Sequence, residues 1–193
     1  EGMGAVKPGF HYVTSPATIV GNAAIIGGFI LDNMAVDEPA GVVRGFDAVS
    51  GKQLWAWDSG RADGNAPLKP GESYTRGSPN AWSLFSADPK LGLVYVPTGN
   101  PTPDHFGGQR SADIERYGSS VVALDAATGK LRWAFQTVHH DLWDYDVASQ
   151  PVLFDMPVGD QSVPALIQAT KQGEVFLLDR RTGRPLSPVD ERP

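Results

Sequence analysis

The sequence predicts an all-β fold built from about three four-stranded units in tandem. One pattern occurs three times, at residues 44–55, at 122–133 and, in a weaker form, at 176–186. Each copy is an apolar strand that ends in Asp, followed by a turn with Ser-Gly or Thr-Gly and a second strand. The Asp can accept turn N–H groups and the Gly can take a positive φ, so each copy predicts a hairpin. The 22 Gly and 16 Pro residues fit many short strands joined by tight turns.

Two further strand-like runs precede each hairpin and complete a four-stranded unit. The runs are 12–20 and 23–31, then 81–87 and 93–98, then 150–155 and 163–169. The predicted units therefore cover roughly 10–60, 78–136 and 147–193. Tandem four-stranded units are typical of a β-propeller, in which each unit is one blade. The ordered repetition disfavours the alternative, a compact β-sandwich.

Three blades are fewer than the ~4–8 that close a propeller. The chain also begins at Glu1 and ends inside a repeat at Pro193. We therefore expect a fragment of a longer protein. Long loops occupy 32–41, 60–78 and 101–118, with a helical turn predicted at 111–117, and long loops on a rigid repeat usually carry function.

The composition excludes several classes of function. A net charge of −6 without a Lys/Arg stripe argues against a nucleic-acid partner. The absence of cysteine excludes disulfides, thiolate catalysis and zinc–thiolate sites in this span. Glycines interrupt the most apolar run, 23–31, so no transmembrane helix is expected within the chain.

The segment 137–146, Thr-Val-His-His-Asp-Leu-Trp-Asp-Tyr-Asp, is the densest cluster of titratable and aromatic residues. Such a cluster after a strand is typical of a site that moves protons. His139 and His140 could suggest a metal site, but adjacent residues on an extended backbone point to opposite faces. They are predicted to stabilise the loop, and Asp141 and Asp146 are predicted to bind backbone or neighbouring side chains.

The chain resembles the quinoprotein dehydrogenases along its whole length. The resemblance rests on the Trp-containing repeat and on the segments 97–101, 139–145 and 171–180, with 78–82, 107–110 and 115–117 in support. It implies part of an eight-bladed propeller that binds pyrroloquinoline quinone (PQQ) and a divalent metal. The branch that it resembles contains the membrane-bound glucose dehydrogenases and the quinate/shikimate dehydrogenases.

The resemblance implies roles for three residues near the cofactor. Asp144 corresponds to the catalytic base, and a carboxylate is a natural acceptor for a hydroxyl proton. Trp82 corresponds to the indole that stacks on the PQQ ring, whereas Trp55 and Trp133 are predicted to pack between blades. Lys171 corresponds to a cation facing the quinone oxygens, where it would stabilise developing negative charge. Each could instead be an ordinary turn or core residue.

The resemblance also implies oxygen ligands for Ca²⁺ or Mg²⁺, both of which prefer oxygen. Asn100 or Thr102 would supply one ligand. Asp32 and Asn33 would supply others, with Glu38 as the competing candidate. A simple Asp-Asn or Asn-Pro turn remains the alternative at these positions.

The expected activity is oxidation of a sugar or cyclic polyol, such as glucose, quinate or shikimate, with electrons passed to ubiquinone. The resemblance implies the periplasmic face of the bacterial inner membrane, with membrane contact through segments absent from this chain. The isolated 193 residues are expected to be inactive. The alternative is a non-catalytic PQQ-like propeller that serves as a scaffold for protein assembly.

Overall fold

The computed structural model describes residues 2–191 as a stack of three antiparallel sheets. The first sheet has the strand order β2-β3-β5-β6, and a separate two-stranded sheet pairs β1 with β4. These strands are β1 (His11–Tyr12), β2 (Thr18–Val20), β3 (Ala23–Ile26), β4 (Phe29–Ile30), β5 (Val42–Asp47) and β6 (Gln53–Asp58).

The second sheet also has four strands, whereas the third has three. Their strand orders are β10-β9-β8-β7 and β11-β12-β13. The second sheet contains β7 (Ser86–Asp88), β8 (Leu93–Pro97), β9 (Ser120–Asp125) and β10 (Leu131–Gln136). The third contains β11 (Val152–Val158), β12 (Gln161–Ala169) and β13 (Val175–Asp179). The predicted helical turn is α1 (Ala112–Glu115), with Ser111 as its N-cap.

The second sheet lies between the other two. Alternate residues of β8 point to its opposite faces and so contribute to two different cores. Val94 and Val96 belong to the core shared with the first sheet, whereas Leu93 and Tyr95 belong to the core shared with the third. The second sheet is therefore apolar on both faces, as expected of an inner blade. The all-β prediction with blade-like units is confirmed.

A tryptophan from each of the first two hairpins docks on the hairpin turn of the next sheet. Trp55 donates its indole N–H to the carbonyl of Ala126 at 3.1 Å, and its ring lies against Gly129. Trp133 donates to the carbonyl of Arg180 at 3.2 Å and lies against Gly183. A Cβ on either glycine would fall about 2.4–2.5 Å from the indole, so only glycine fits. The repeated Trp and Gly therefore join consecutive blades.

The strand register separates the two ends of the sheets. In the second sheet Leu93 pairs with Asp125 at one end and Pro97 with Val121 at the other. The turns after Asp47, Asp125 and Asp179 share the first end. The loops that begin after β4, β8 and β10, and the β12–β13 turn, lie at the opposite end. All of the predicted site residues belong to that loop end.

Three predicted strands differ from the structure. The run 12–20 is split between β1 and β2 because Pro16 lacks an N–H group. The run 23–31 is split at Gly27, where a Cβ would lie 2.2 Å from the carbonyl oxygen of Ala81. The run 81–87 forms a strand only from Ser86, since earlier polar groups bind other loops: the carbonyl of Trp82 accepts hydrogen bonds from two side chains.

The third hairpin lacks a full second strand within the described residues. Leu178 and Pro185 form an isolated bridge, and the Leu186 N–H donates to the Leu177 carbonyl at 2.8 Å. Pro188 follows two residues later and cannot donate the next ladder hydrogen bond, so the pairing ends there. The predicted third unit extends to residue 193, and its last two residues lie outside the described range. No helix within residues 2–191 has the length and apolar character to cross a membrane.

Candidate active site

The loop after β10 and the β12–β13 turn bring Asp144, Asp146 and Lys171 into contact. The Lys171 ammonium donates to the Asp144 carbonyl at 2.8 Å, to Asp144 Oδ1 at 3.1 Å and to Asp146 Oδ2 at 3.4 Å. Burial alone would lower the pKa of Lys171, but the charges of Asp146 and Asp144 outweigh it and raise that pKa. The structure therefore places the predicted base and the predicted cation side by side.

Asp146 connects this pair to Trp82 and to the loop after β8. Its Oδ2 accepts the Trp82 indole N–H at 3.0 Å, and its Oδ1 accepts the backbone N–H of Asn100 at 2.5 Å. The carboxylate is almost fully buried, at 4% exposure. Burial raises its pKa, although Lys171 opposes that shift. Asp146 binds backbone and side-chain donors as expected, and it is also the central hydrogen-bond acceptor of the site.

The Asp141 carboxylate fixes the backbone on both sides of Asp144. It accepts hydrogen bonds from the N–H groups of Trp143 and Tyr145, at 2.9 and 2.8 Å, and from the Ser119 hydroxyl at 2.6 Å. Asp144 has a φ of +62°, a left-handed conformation that costs free energy in a residue with a Cβ. The bonds to Asp141 hold the turn in this conformation, which leaves the Asp144 side chain 42% exposed.

A second group of carboxylates lies next to this one. Asp32 Oδ2 accepts a hydrogen bond from the Asn80 amide at 3.0 Å, and the Asp32 carbonyl accepts the N–H of Asp104 at 3.1 Å. Burial and the negative charge of Asp146 raise the pKa of Asp32 to about 6. Burial and the charge of Asp32 raise the pKa of Asp104 to about 8. Buried acids that repel each other are typical of functional sites.

Several buried oxygens in this group have no hydrogen-bond partner within the described residues. They are Asn80 Oδ1, Asn100 Oδ1, Thr102 Oγ1 and Asp104 Oδ1. A buried acceptor without a donor costs about 1–3 kcal/mol. Oxygens of amide, hydroxyl and carboxylate groups are the ligands that Ca²⁺ and Mg²⁺ prefer. These unpartnered oxygens and the Asp32 carboxylate are therefore of the chemical type that a hard divalent cation binds.

No three His, Asp or Glu side chains in residues 2–191 are clustered closely enough to hold a metal by themselves. Any metal ligand set here would combine carboxylates with neutral oxygens. Asn33 is exposed, whereas the neighbouring Asp32 is partly buried. The side chain of Glu38 lies in a separate cavity of about 360 Å³, together with Lys7 and Arg76. The structure thus brings Asp32, Asn100 and Thr102 to one end of the blades and places Glu38 apart.

The two histidines lie outside this group. His139 contacts Glu191 at 2.6 Å and His140 contacts Glu115 at 3.2 Å, and both side chains are largely exposed. The expectation of an extended backbone was wrong, because these residues form a turn in which His140 has a φ of +51°. Their contacts are with loop carboxylates, which agrees with a role in stabilising the loop.

The sequence did not single out Asp104, Asn80 or Arg110 as site residues. A signal for Asp104 was available, because oxygen-bearing side chains recur at positions 100, 102 and 104, directly after a strand. Asn80 and Arg110 gave no comparable signal, since their partners are distant in sequence. Asn80, for example, reaches Asp32 across 48 positions.

Known proteins share both the sequence and the fold. The family model described as the PQQ glucose/ethanol/alcohol dehydrogenase β-propeller domain matches residues 1–193. The chain is 48% identical to the glycerol dehydrogenase large subunit of Gluconobacter oxydans and 49% identical to quinoprotein glucose dehydrogenase A of Acinetobacter calcoaceticus. It is 46% identical to the quinate/shikimate dehydrogenase (quinone) of Acinetobacter baylyi. Each alignment covers 100% of this chain but only 24–26% of the relative.

Solved structures give the same result. A quinohemoprotein alcohol dehydrogenase from Pseudomonas putida superposes with a TM-score of 0.73 at 27% identity, over 92% of this chain and 27% of that one. A europium-containing methanol dehydrogenase superposes with a TM-score of 0.74 at 26% identity, over 92% and 33%. The chain spans about a quarter of its curated relatives. It belongs to the family of PQQ-dependent dehydrogenase β-propellers.

Proposed function

We propose that the protein containing this chain oxidises a hydroxyl group of a sugar or cyclic polyol, with PQQ as the redox cofactor and Ca²⁺ or Mg²⁺ as a bound metal. Glucose, quinate, shikimate and glycerol are the substrates that the names of its relatives suggest. The observation that carries the proposal is the single hydrogen-bonded set formed by Asp144, Lys171, Asp146 and Trp82. A non-catalytic scaffold would have no use for this arrangement.

Asp144 acts as the general base in this proposal. Its exposed carboxylate can reach a substrate hydroxyl and accept the proton while hydride leaves the carbon. The alcohol is thereby oxidised to a carbonyl, and PQQ, when bound, supplies the acceptor for the hydride. Asp141 keeps Asp144 in its turn, so the carboxylate is oriented before substrate binds.

Lys171 and Trp82 are proposed to bind the cofactor. The Lys171 ammonium has three donors, and its longest contact, 3.4 Å to Asp146, is the weakest of the three described. Exchange of that contact for a cofactor oxygen would leave the two bonds to Asp144 intact. The half-buried Trp82 offers a flat apolar surface to a planar ring system, and its bond to Asp146 fixes the angle of the indole.

Asp32, Asn100 and Thr102 are proposed as metal ligands, with Asp104 as a further carboxylate and Asn33 as a neighbouring candidate. The cation would neutralise the repulsion between Asp32 and Asp104. It would also satisfy the unpartnered oxygens of Asn100 and Thr102. A metal in this position anchors the cofactor and acts as a Lewis acid.

The relatives suggest the physiological setting. We propose ubiquinone as the electron acceptor and the periplasmic face of the bacterial inner membrane as the location, with membrane contact through segments outside this chain. These proposals rest on the family relationship alone.

The test reconstitutes the metal-free, cofactor-free full-length protein with PQQ and either Ca²⁺ or Mg²⁺. Reduction of an artificial electron-accepting dye is then followed with glucose, quinate, shikimate and glycerol. We expect turnover with at least one polyol that requires both PQQ and the metal. The Asp144→Asn variant, which keeps the shape of the side chain, is the matched control and should be inactive. Absence of turnover with every polyol would favour the scaffold function.

A further inference from the structure

Arg110 is a buried cation that connects the two loops of the candidate site. Its side chain is only 1% exposed. Nη1 donates to the carbonyl of Asp141 at 2.7 Å, whereas Nη2 donates to the carbonyls of Pro101 and Pro103 at 3.0 and 3.1 Å. Pro101 and Pro103 flank Thr102 in the loop that carries the proposed metal ligands. Asp141 begins the loop that carries the proposed base.

Every carbonyl of residues 101–104 accepts a hydrogen bond from Gln109 or Arg110. The Gln109 amide donates to the carbonyl of Thr102 at 2.8 Å, and Arg110 Nη2 also contacts that of Asp104 at 3.4 Å. The backbone carbonyls of the loop are therefore occupied. Thr102 Oγ1 and Asp104 Oδ1, in contrast, have no hydrogen-bond partner among residues 2–191, as would be expected of ligands for a cation.

The hydrogen bond from Arg110 to Asp141 lies close to the proposed base, Asp144. Arg110 binds the backbone of Asp141, whose carboxylate in turn holds the N–H groups of Trp143 and Tyr145. Those two residues flank Asp144. A shift of the Asp141 backbone would therefore move the whole turn that orients the base.

The chemistry of arginine suits this position. A guanidinium stays charged and presents its donors in a rigid planar fork, whereas a lysine ammonium is a single point on a flexible stem. Glu115 lies 3.6 Å from Nη1 and supplies a partly compensating charge. Burial of a charged side chain costs free energy. The position of the Arg110 guanidinium between these two loops therefore suggests that the loops need a fixed relative geometry.

We infer that Arg110 is a positioning residue that sets the distance between the metal-ligand loop, residues 100–104, and the base loop, residues 141–146. It acts through the backbone carbonyls of both loops, which its guanidinium binds. The inference rests on the proposed function and adds a residue that controls metal affinity and turnover together.

The test compares Arg110→Lys with the wild type in the full-length protein, freed of metal and cofactor. Ca²⁺ binding is measured by calorimetry, and kcat and KM are then measured at saturating Ca²⁺ and PQQ. We expect Ca²⁺ affinity to fall about 10–100-fold, the usual cost of losing a residue that orients metal ligands. We also expect the kcat of Arg110→Lys to stay below that of the wild type at saturating Ca²⁺, with a smaller change in KM. The reason is that the turn that carries Asp144 is displaced. Arg132→Lys, at a residue 58% exposed on a blade edge, is the control and should match the wild type.

Thermal unfolding of each variant shows whether it folds. A folded Arg110→Lys protein with wild-type Ca²⁺ affinity and kcat would overturn the inference, and so would a lower melting temperature with unchanged Ca²⁺ affinity. If Arg110→Lys does not fold, Gln109→Ala decides: it removes only the bond to Thr102, and we expect weaker Ca²⁺ binding with kcat retained at saturating Ca²⁺. Unchanged affinity in that variant would overturn the inference. A wild type that binds no Ca²⁺ would refute the proposed metal site itself, before any variant is compared.

Discussion

The two ends of the sheets use aspartate in opposite ways. At the turn end, Asp47 is partly exposed, and hydrogen bonds from the backbone N–H and hydroxyl of Ser50 lower its pKa. At the loop end, Asp32 and Asp104 are largely buried, and burial with mutual repulsion raises their pKa values. The carboxylate of Asp47 accepts hydrogen bonds from its own turn, whereas Asp104 Oδ1 has no hydrogen-bond partner within the described residues. The same residue type therefore has different surroundings at the two ends, as the proposed function requires.

The largest expected effect comes from removing the base at the loop end. Asp144→Asn should lower kcat of the reconstituted full-length enzyme by about 10²–10⁴-fold, the usual contribution of general base catalysis. Steady-state dye reduction at saturating PQQ and metal measures it. The matched control is Asp125→Asn at the turn end, where the carboxylate binds N–H and hydroxyl groups of its own turn and pairs with Arg132 at 3.7 Å. A comparable loss of kcat in both variants would contradict the division between the two ends.

Tryptophan residues should also have different roles at the two ends of the sheets, and their substitution should have a smaller effect on activity than that of Asp144. Trp133→Ala removes a buried indole that joins two blades and should cost about 3–5 kcal/mol of unfolding free energy. Trp82→Ala should cost less stability, because its ring is only partly buried, but should weaken PQQ binding. Denaturant unfolding and a PQQ fluorescence titration measure the two properties. Equal stability losses, with unchanged PQQ affinity in Trp82→Ala, would contradict the assignment.

Much of the turn end could be predicted from the sequence because its interactions are local. The Asp and the Thr-Gly of each repeat contact one another within a few residues, as between Asp125 and Thr128. The two hairpins of the first two sheets follow from that pattern. The second strand of the third hairpin ends early because Pro188 cannot donate a ladder hydrogen bond, a consequence that was visible in the sequence but outweighed by the repeat.

The loop end could be predicted only in part. The segment around Asp144 was identifiable from its density of titratable groups, and the structure places it against Lys171. The central position of Asp146 and the hydrogen bonds by which Arg110 connects the two loops could not be predicted from the sequence. Arg110 reaches Asp141 across 31 positions, and such contacts depend on the paths of two long loops that have no periodic pattern.

Substitution of Asp104 should preserve or raise the stability of the metal-free protein but lower its Ca²⁺ affinity. Burial and Asp32 raise the pKa of Asp104 to about 8, so ionisation of this carboxyl favours the unfolded chain at neutral pH. Asp104→Asn removes that effect, and the metal-free protein should be at least as stable as the wild type. Ca²⁺ affinity should nevertheless fall by more than about 10-fold, because ligand charge tunes affinity. Differential scanning calorimetry and Ca²⁺ titration measure both. At the turn end Asp125→Ala should do the reverse, with a loss of about 1 kcal/mol from the turn hydrogen bonds and unchanged Ca²⁺ affinity. A less stable Asp104→Asn protein that binds Ca²⁺ normally would refute the metal role.

The smallest expected effect is the response of the turn end to acid. Hydrogen bonds from Ser50 lower the pKa of Asp47, and a hydrogen bond from the Arg181 side chain lowers that of Asp179. A lowered pKa means that the unfolded chain takes up protons first as the pH falls. The stabilisation is therefore complete above the unfolded pKa of about 4 and is lost as the pH drops through the folded value. The double variant Asp47→Asn/Asp179→Asn should flatten the acid limb of a melting-temperature curve between about pH 5 and 2. A limb of unchanged slope would show that other groups govern acid unfolding, and that the turn carboxylates stabilise the blades less than their hydrogen bonds suggest.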